Sequence, residues 1–140
     1  MAGYSPNPLV KKLGYKEGSA ALLMAVPSSI VEITLFPHFS SVAYEPAAGP
    51  RQMDVIHWFE TSRARLVDQL TSVSSLLRAD GMLWISWPKK ASRMPTDITE
   101  DVLREVILPT GLVDVKVCAV NEVWSGLKFM WRREVREALL

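Results

Sequence analysis

Apolar and polar residues alternate along this chain in two different patterns. Short continuous apolar runs bounded by Gly, Pro, Ser or Asp are typical of strands buried on both faces, and apolar positions three or four apart are typical of helices. The apolar runs predict strands at 20–26, 42–44, 54–59, 82–87, 112–120 and 127–131. The segments between them predict helices at 8–13, 30–36, 61–77, 97–107 and 132–140.

Residues with strong end preferences mark several of these boundaries. Side chains that cap helices precede three of the predicted helices, at Ser29 with Glu32, at Thr61 with Ser62, and at Asp97 with Glu100. Gly14 is predicted to end the first helix, and Gly81 to form a left-handed turn after the third. Gly126 is predicted to permit a turn or bulge. Residues 1–8 and 46–50 are predicted to be irregular.

The order of these elements predicts the fold class. Strands that alternate with helices form parallel sheets with right-handed crossovers. The connection 121–126 is too short for a crossover, so the last strand is predicted to run antiparallel. We therefore expect one α/β domain over residues 1–140, with a three-layer sheet that is mostly parallel and ends in an antiparallel C-terminal hairpin strand.

The nearly balanced charge limits the classes of partner. The chain has 16 basic and 15 acidic residues and a net charge of +1, so we expect neither nucleic acid nor an anionic membrane as a partner. No apolar run is long enough to cross a bilayer, and the first residues lack the order of a secretion signal. Cys118 is the one cysteine, which excludes an internal disulfide and favours a reducing cytoplasm.

The sequence gives little indication that the histidines or the cysteine bind a metal or act in catalysis. His38, His57 and Cys118 lack the spacing of metal ligands, so no metal site is predicted. Cys118 lies in the apolar run 115–120 and is predicted to be buried rather than nucleophilic. His57 lies inside a predicted strand and is interpreted as a packed side chain rather than a base.

Distinctive groups of Trp, Pro, Asn and Gly occur mostly after Gly81. They are Tyr4-Ser5, Pro8-Leu9, Lys12-Leu13-Gly14, Thr61-Ser62-Arg63, Trp84, Trp87-Pro88-Lys89-Lys90, Pro95-Thr96-Asp97, Gly111-Leu112-Val113-Asp114 and the run 121–129. On these residues the chain resembles a family of small bacterial domains of unknown function, which is similar in layout to degenerate class I methyltransferase-like Rossmann domains. The resemblance spans nearly the whole chain. It implies that fold and a set of candidate positions, and it implies no activity.

The resemblance also indicates where a cofactor site would lie. Methyltransferase-like domains bind S-adenosylmethionine at the carboxyl ends of the strands, next to a glycine-rich turn after the first strand. Here the turn 26–30 contains no glycine, and Pro27 lacks a backbone donor. Glu45 is placed to hold ribose hydroxyls after the second strand. The segment before Asp54 holds one helix and one strand, where the parent layout has two of each. We therefore expect no cofactor, with S-adenosylmethionine as the alternative.

Most of the candidate ligand-binding residues follow the later strands. Trp87, Lys89 and Lys90 come at the end of a strand and could bind a phosphate or carboxylate and stack on a ring, or form a solvated loop with Trp87 packed beneath it. Thr96 and Asp97 could add hydrogen bonds to a ligand, or cap a helix.

The short connection between the last two strands supplies two further candidates. Glu122 could act as a base or pair with Lys89 or Lys90, and Trp124 is predicted at the same edge of the sheet. Thr61-Ser62-Arg63 follows the central strand, where the parent fold often carries catalytic residues, and is also a natural helix start.

These observations leave three hypotheses for function. The first is a non-catalytic binding or regulatory module with a degenerate cofactor site, which takes a small anionic ligand. The second is an S-adenosylmethionine-dependent methyltransferase, or another small-molecule transferase that uses the same crevice. The third is a homodimer formed through an exposed last strand or the tail 131–140.

Overall fold

The computed structural model describes residues 8–46 and 49–140, so residues 1–7 of the predicted irregular segment 1–8 and residues 47–48 of the predicted loop 46–50 lie outside the described residues. The strands are β1 (Ala20–Met24), β2 (Ser41–Ala43), β3 (Met53–Phe59), β4 (Leu77–Pro88), β5 (Leu112–Ala119) and β6 (Trp124–Trp131). The α-helices are α1 (Leu9–Leu13), α2 (Val31–Thr34), α3 (Arg63–Ser74), α4 (Glu100–Ile107) and α5 (Arg133–Leu139). No helix in the described ranges has the length and apolar character needed to cross a membrane.

The strands form one mixed sheet in the order β2-β1-β3-β4-β6-β5. β1 to β4 are mutually parallel, and β6 runs antiparallel to both of its neighbours. The predicted fold class, with its antiparallel C-terminal strand, is confirmed. However, the last strand, β6, is an inner strand, and β5 forms the edge on this side of the sheet.

Each face of the sheet is covered by its own apolar cluster. Because successive side chains of a strand point to opposite faces, Ile56 and Trp58 of β3 face one cluster, while Val55 and Phe59 face the other. The first cluster packs against α3 and α4 and, through partly buried side chains, against α5. The second packs against α1 and α2. The result is the three-layer arrangement that the element order predicted.

Two of the predicted helix caps are wrong. α2 begins without a side-chain cap, so Ser29 does not cap it. α4 begins at Glu100, where Thr99 Oγ1 accepts a hydrogen bond from the Val102 amide at 3.2 Å. Asp97 instead accepts a hydrogen bond from the first amide of α3, that of Arg63, at 2.7 Å. The cap predicted for α4 therefore stabilises the start of a different helix, alongside the predicted cap Ser62.

Two glycines predicted to make turns lie inside strands. β4 begins at Leu77, so Gly81 lies within it, and its φ is outside the left-handed region. A Cβ at Gly81 would lie 2.9 Å from the Asp54 carbonyl oxygen, where the register of β3 and β4 shifts. Gly126 pairs within β6, and a Cβ there would lie 3.1 Å from the Trp84 ring. Both glycines permit close approach rather than a turn.

His57 lies at the centre of a buried polar chain. It is fully buried, as predicted, with Nδ1 2.5 Å from Tyr15 Oη and Nε2 2.7 Å from Ser86 Oγ. Burial lowers the pKa of His57 to about 3 and raises the pKa of Tyr15. The neutral imidazole, which has one donor and one acceptor nitrogen, is therefore the form that this site accommodates.

Candidate functional site

A cleft of about 880 Å³ opens at the carboxyl ends of β1 and β3. This is the point in the sheet where the chain direction divides, because β1 leads to β2 on one side while β3 leads to β4 on the other. Open α/β sheets bind ligands at such points, and the volume is typical of a small-molecule site. The cleft is therefore the candidate functional site.

The first wall of the cleft is the glycine-free turn after β1. β1 ends at Met24, and Ala25 follows with a φ of 55°, in the left-handed region. That conformation costs a non-glycine residue roughly 1 kcal/mol or more. The turn thus adopts a glycine-like backbone without a glycine. α2, which follows, has only four residues and begins with no side-chain cap.

Replacing Ala25 with glycine is expected to raise the free energy of unfolding by about 1 kcal/mol, because it removes the left-handed strain of a Cβ. Urea unfolding at neutral pH measures this change. Ala64→Gly, on the exposed face of α3, is the matched control and is expected to lower stability by about 0.5 kcal/mol. A loss of stability in both variants would contradict the strained turn.

The second wall follows β2. Tyr44, Glu45 and Pro46 are exposed and line the cleft, and the Tyr44 side chain is 67% exposed. In the part of the chain that the structure describes, the Glu45 carboxylate accepts no hydrogen bond and forms no ion pair. It is an acceptor group available to a ligand.

The third wall is built around Glu60, which directly follows β3. Its buried carboxylate accepts hydrogen bonds from Trp58 Nε1 at 3.3 Å and from the amides of Thr61 and Ser62 at 2.8 and 3.0 Å. Arg65 Nε also donates to it at 3.1 Å. These contacts join the end of the central strand to the start of α3. They also hold the Nε end of the Arg65 guanidinium in place.

Arg65 presents the one cationic side chain that lines the cleft among the described residues. Its Nη2 donates to Thr61 Oγ1 at 3.2 Å, and the side chain is 60% exposed. Gln69 and Ser72, one and two turns further along α3, line the same side. A row of polar groups therefore faces the exposed Glu45 across the cleft.

Aromatic and sulfur-containing side chains form the floor between these walls. Trp58, Phe59 and Trp124 line the cleft, together with Met24 and Met94. The Phe59 and Trp124 rings pack edge to face, with 5.1 Å between their centroids. Trp58 and Phe59 point to opposite faces of the sheet, and they are only 1% and 3% exposed. Of the aromatic side chains that line the cleft in the described part of the chain, Tyr44 is the exposed one.

The sequence-based candidates lie partly inside this cleft. Glu45 and Trp124 line it. Thr96 and Asp97 lie beside it, where they tie a loop to the start of α3: Thr96 Oγ1 donates to the Thr61 carbonyl at 2.7 Å, and Asp97 accepts from the Arg63 amide. Their visible role is to hold α3 in place.

The remaining candidates lie away from the cleft lining. Trp87 lies in β4, is 8% exposed and packs in the apolar core. The Lys89 amide donates to the Val123 carbonyl at 2.7 Å, which places Lys89 and the exposed Glu122 at one edge of the sheet, as predicted. Lys90 is exposed in a short 3₁₀ turn.

Sequence reasoning missed Glu60 and Arg65. The available signal was an acid placed directly after a buried strand and before the helix start Thr61-Ser62, with a basic residue one turn into the helix. No group of three or more His, Cys, Asp or Glu side chains within residues 8–46 and 49–140 is arranged to hold a metal ion.

Comparison with known proteins identifies a family for this chain and solved structures with a similar fold. Residues 50–133, more than half of the chain, match the sequence profile of a family described as "Protein of unknown function (DUF3052)". None of the curated proteins matches the chain.

Solved structures of methyltransferases share the architecture. An S-adenosylmethionine-dependent methyltransferase from Aquifex aeolicus superposes with a TM-score of 0.65 at 15% identity, over 89% of this chain and 88% of that one. The 1,6-didemethyltoxoflavin-N1-methyltransferase of Burkholderia thailandensis, which holds S-adenosylhomocysteine, gives 0.64 at 14%, over 88% and 74%. Magnesium protoporphyrin IX methyltransferase of Synechocystis PCC 6803, with bound S-adenosylmethionine, gives 0.57 at 11%, over 89% and 74%. The fold is methyltransferase-like, and at this identity the likeness concerns the fold alone.

Proposed function

Because this chain belongs to the DUF3052 family of proteins of unknown function, we infer its role from the cleft itself, and we propose that it is a non-catalytic module that binds a small molecule between the loop after β2 and α3. The methyltransferase-like fold and the position of the cleft at the carboxyl ends of β1 and β3 support a ligand site there. The single cysteine supports a cytoplasmic setting.

The single observation that supports a non-catalytic role is the set of hydrogen bonds that the Glu60 carboxylate accepts. A general base needs a carboxylate with room to accept a proton from a substrate. The Glu60 carboxylate already accepts from two amides, an indole and a guanidinium. It therefore acts as a positioning group for Arg65 and α3. Glu45, the other acid in the cleft, is exposed at its rim and suits binding better than proton transfer.

The chemistry of the walls supports one class of ligand. Glu45 can accept hydrogen bonds from hydroxyl or amino groups on one side, and Arg65 can bind a carboxylate or phosphate on the other. Tyr44, the exposed aromatic side chain next to Glu45, can pack against a planar ring. A nucleoside that carries an anionic group combines these three features.

S-adenosylmethionine is the second candidate, and one observation favours it. Glu45 follows β2, where the resemblance to methyltransferases implies an acid for the ribose hydroxyls, and Ala25 already has the left-handed backbone of a glycine turn. The nucleoside half thus fits, with Glu45 and Ala25 as the residues that would hold it. When bound, the cofactor supplies an electrophilic methyl group. Pro27, which lacks an amide donor, weakens the first loop as a site for the carboxylate half.

Binding is tested by thermal shift and calorimetry with S-adenosylhomocysteine, adenosine 5′-monophosphate and adenosine. A ligand at about one hundred times its dissociation constant adds about 2.7 kcal/mol to stability. Glu45→Gln is expected to weaken binding of all three by about tenfold, since it removes an ionised acceptor. Glu122→Gln, exposed at the same edge but outside the cleft lining, is the matched control and is expected to bind normally.

Arg65→Gln separates the two ends of the ligand. It is expected to weaken adenosine 5′-monophosphate by about tenfold and to leave adenosine unchanged, because only the first carries an anion for the guanidinium. Equal binding by Glu45→Gln and the parent, or no stabilisation by any probe, would refute this ligand class. Methyl transfer from S-adenosylmethionine to an added acceptor would overturn the non-catalytic proposal in favour of the alternative.

A further inference from the structure

The positive charge of this nearly neutral protein is unevenly distributed. Each ion pair among the described residues is made by an arginine, such as Arg63 with Glu105 or Arg78 with Asp54. Within residues 8–46 and 49–140, no lysine forms one. The lysine charges are therefore available to anions from outside the chain.

Four of these lysines lie near one another on the α1 side of β5 and β6, and we call them the lysine cluster: Lys12, Lys16, Lys116 and Lys128. The charges of Lys12 and Lys116 both act on Cys118, and, in addition to burial, those of Lys116 and Lys16 both act on Lys128 and lower its pKa. Lys116 and Lys128 are direct cross-strand partners. Lys116 Nζ donates to the Lys12 carbonyl, at the end of α1, at 3.0 Å. Lys128 Nζ lies against the turn that follows, 4.0 Å from where a Cβ of Gly14 would be. None of the four lines the cleft.

This arrangement is unfavourable by itself. Like charges directly opposite each other on neighbouring strands destabilise a sheet. Burial lowers the pKa of Lys128, and the charges of Lys116 and Lys16 lower it further. Asp114, on the same strand as Lys116, is bound to Arg104 at 3.0 Å and so is engaged elsewhere. An anion that bridges the ammonium groups would offset this repulsion.

We propose that the lysine cluster is a binding site for a compact anion that carries several phosphate groups. Two sources share this chemistry, a free oligophosphate and the backbone of a nucleic acid. The compact source is favoured, because the cluster is confined to α1, the turn that follows it and one strand pair, and the net charge of +1 provides no wider field for a nucleic acid.

The test uses inorganic tripolyphosphate at matched ionic strength, with thermal shift and calorimetry on the whole chain. Tripolyphosphate is expected to raise the melting temperature of the parent. Lys128→Gln is expected to melt higher than the parent without the anion, because a like-charge contact is removed, and to bind it about tenfold more weakly. Lys89→Gln, whose lysine lies outside the cluster, is the matched control and is expected to behave as the parent in both respects.

Three results would overturn the proposal. One is parent-like tripolyphosphate binding by Lys128→Gln, and another is an equal loss in Lys89→Gln, which would indicate non-specific attraction. The third is tighter binding of a single-stranded oligonucleotide than of tripolyphosphate through the same lysines, which would assign the site to nucleic acid. Glu45→Gln is expected to bind tripolyphosphate normally, so failure of the cleft proposal and failure of this one are distinguishable.

Discussion

Acidification from pH 6.5 towards pH 3 is expected to lower the free energy of unfolding steadily, with His57 alone contributing a slope of up to about 1.4 kcal/mol per pH unit. Burial lowers the pKa of His57 from 6.5 to about 3. In this interval the unfolded chain binds a proton at His57 and the folded protein does not. Stability is therefore complete above pH 6.5 and is lost as the pH falls through the window.

The measurement is urea unfolding at several pH values between 7 and 3. His57→Gln, which does not titrate, is expected to flatten the curve in this window whatever its stability at neutral pH. His38→Gln, which removes the exposed histidine, is the control and is expected to keep the parent slope. An unchanged slope in His57→Gln would show that other groups cause the acid sensitivity.

Truncation of Trp84 is expected to lower the free energy of unfolding by about 3–5 kcal/mol. Trp84 is fully buried in β4, and its Nε1 donates to the Leu13 carbonyl at 2.8 Å, which anchors the end of α1 to the sheet. Trp84→Ala removes both the packing and that hydrogen bond. Chemical denaturation measures the loss. Tyr44→Ala, which truncates an exposed aromatic side chain, is the control and is expected to change stability by no more than about 0.5 kcal/mol.

A second set of variants tests the close contact between Gly126 and the Trp84 ring. In the parent, Gly126→Ala is expected to cost about 1–3 kcal/mol, because the new Cβ would lie 3.1 Å from a ring that its hydrogen bond holds in place. In the Trp84→Ala background that cost is expected to fall, since the ring is gone and the remaining close approach is the 3.2 Å contact with Ser86 Oγ. Additive losses would mean that Gly126 is required for another reason.

The fold could be predicted because the apolar pattern of each segment, which is visible in the local sequence, matches the burial of that segment in the structure. The runs around Leu22, Ile56 and Ile85 became buried parallel strands, and the row Leu66, Leu70 and Val73 became the buried face of α3. Gly81 and Gly126 were misread because a glycine that ends an element and a glycine that admits a neighbour look alike in sequence. Only the packed partner tells them apart.

The site was less accessible to sequence reasoning for a related reason. Glu45 was found because its position after a strand carries information. Glu60 was missed because its importance comes from four donors gathered by the strand end and the helix start. The pairing of Lys116 with Lys128 depends on a register shift between Asp114 and Lys116. A one-residue difference in register would move a side chain to the other face, so no local pattern could predict that pairing.

The position of β6 between β4 and β5 has a consequence for how the protein is made. Ribosomes release a chain N-terminus first, at about 5–20 residues per second. β5 leaves before β6, yet among the strands of the described residues β6 is the only partner of β5. Until β6 has been released, β5 has no strand to pair with, and the side of β4 that pairs with β6 has no partner. We therefore expect the last two strands to join the sheet together, after both have left the ribosome.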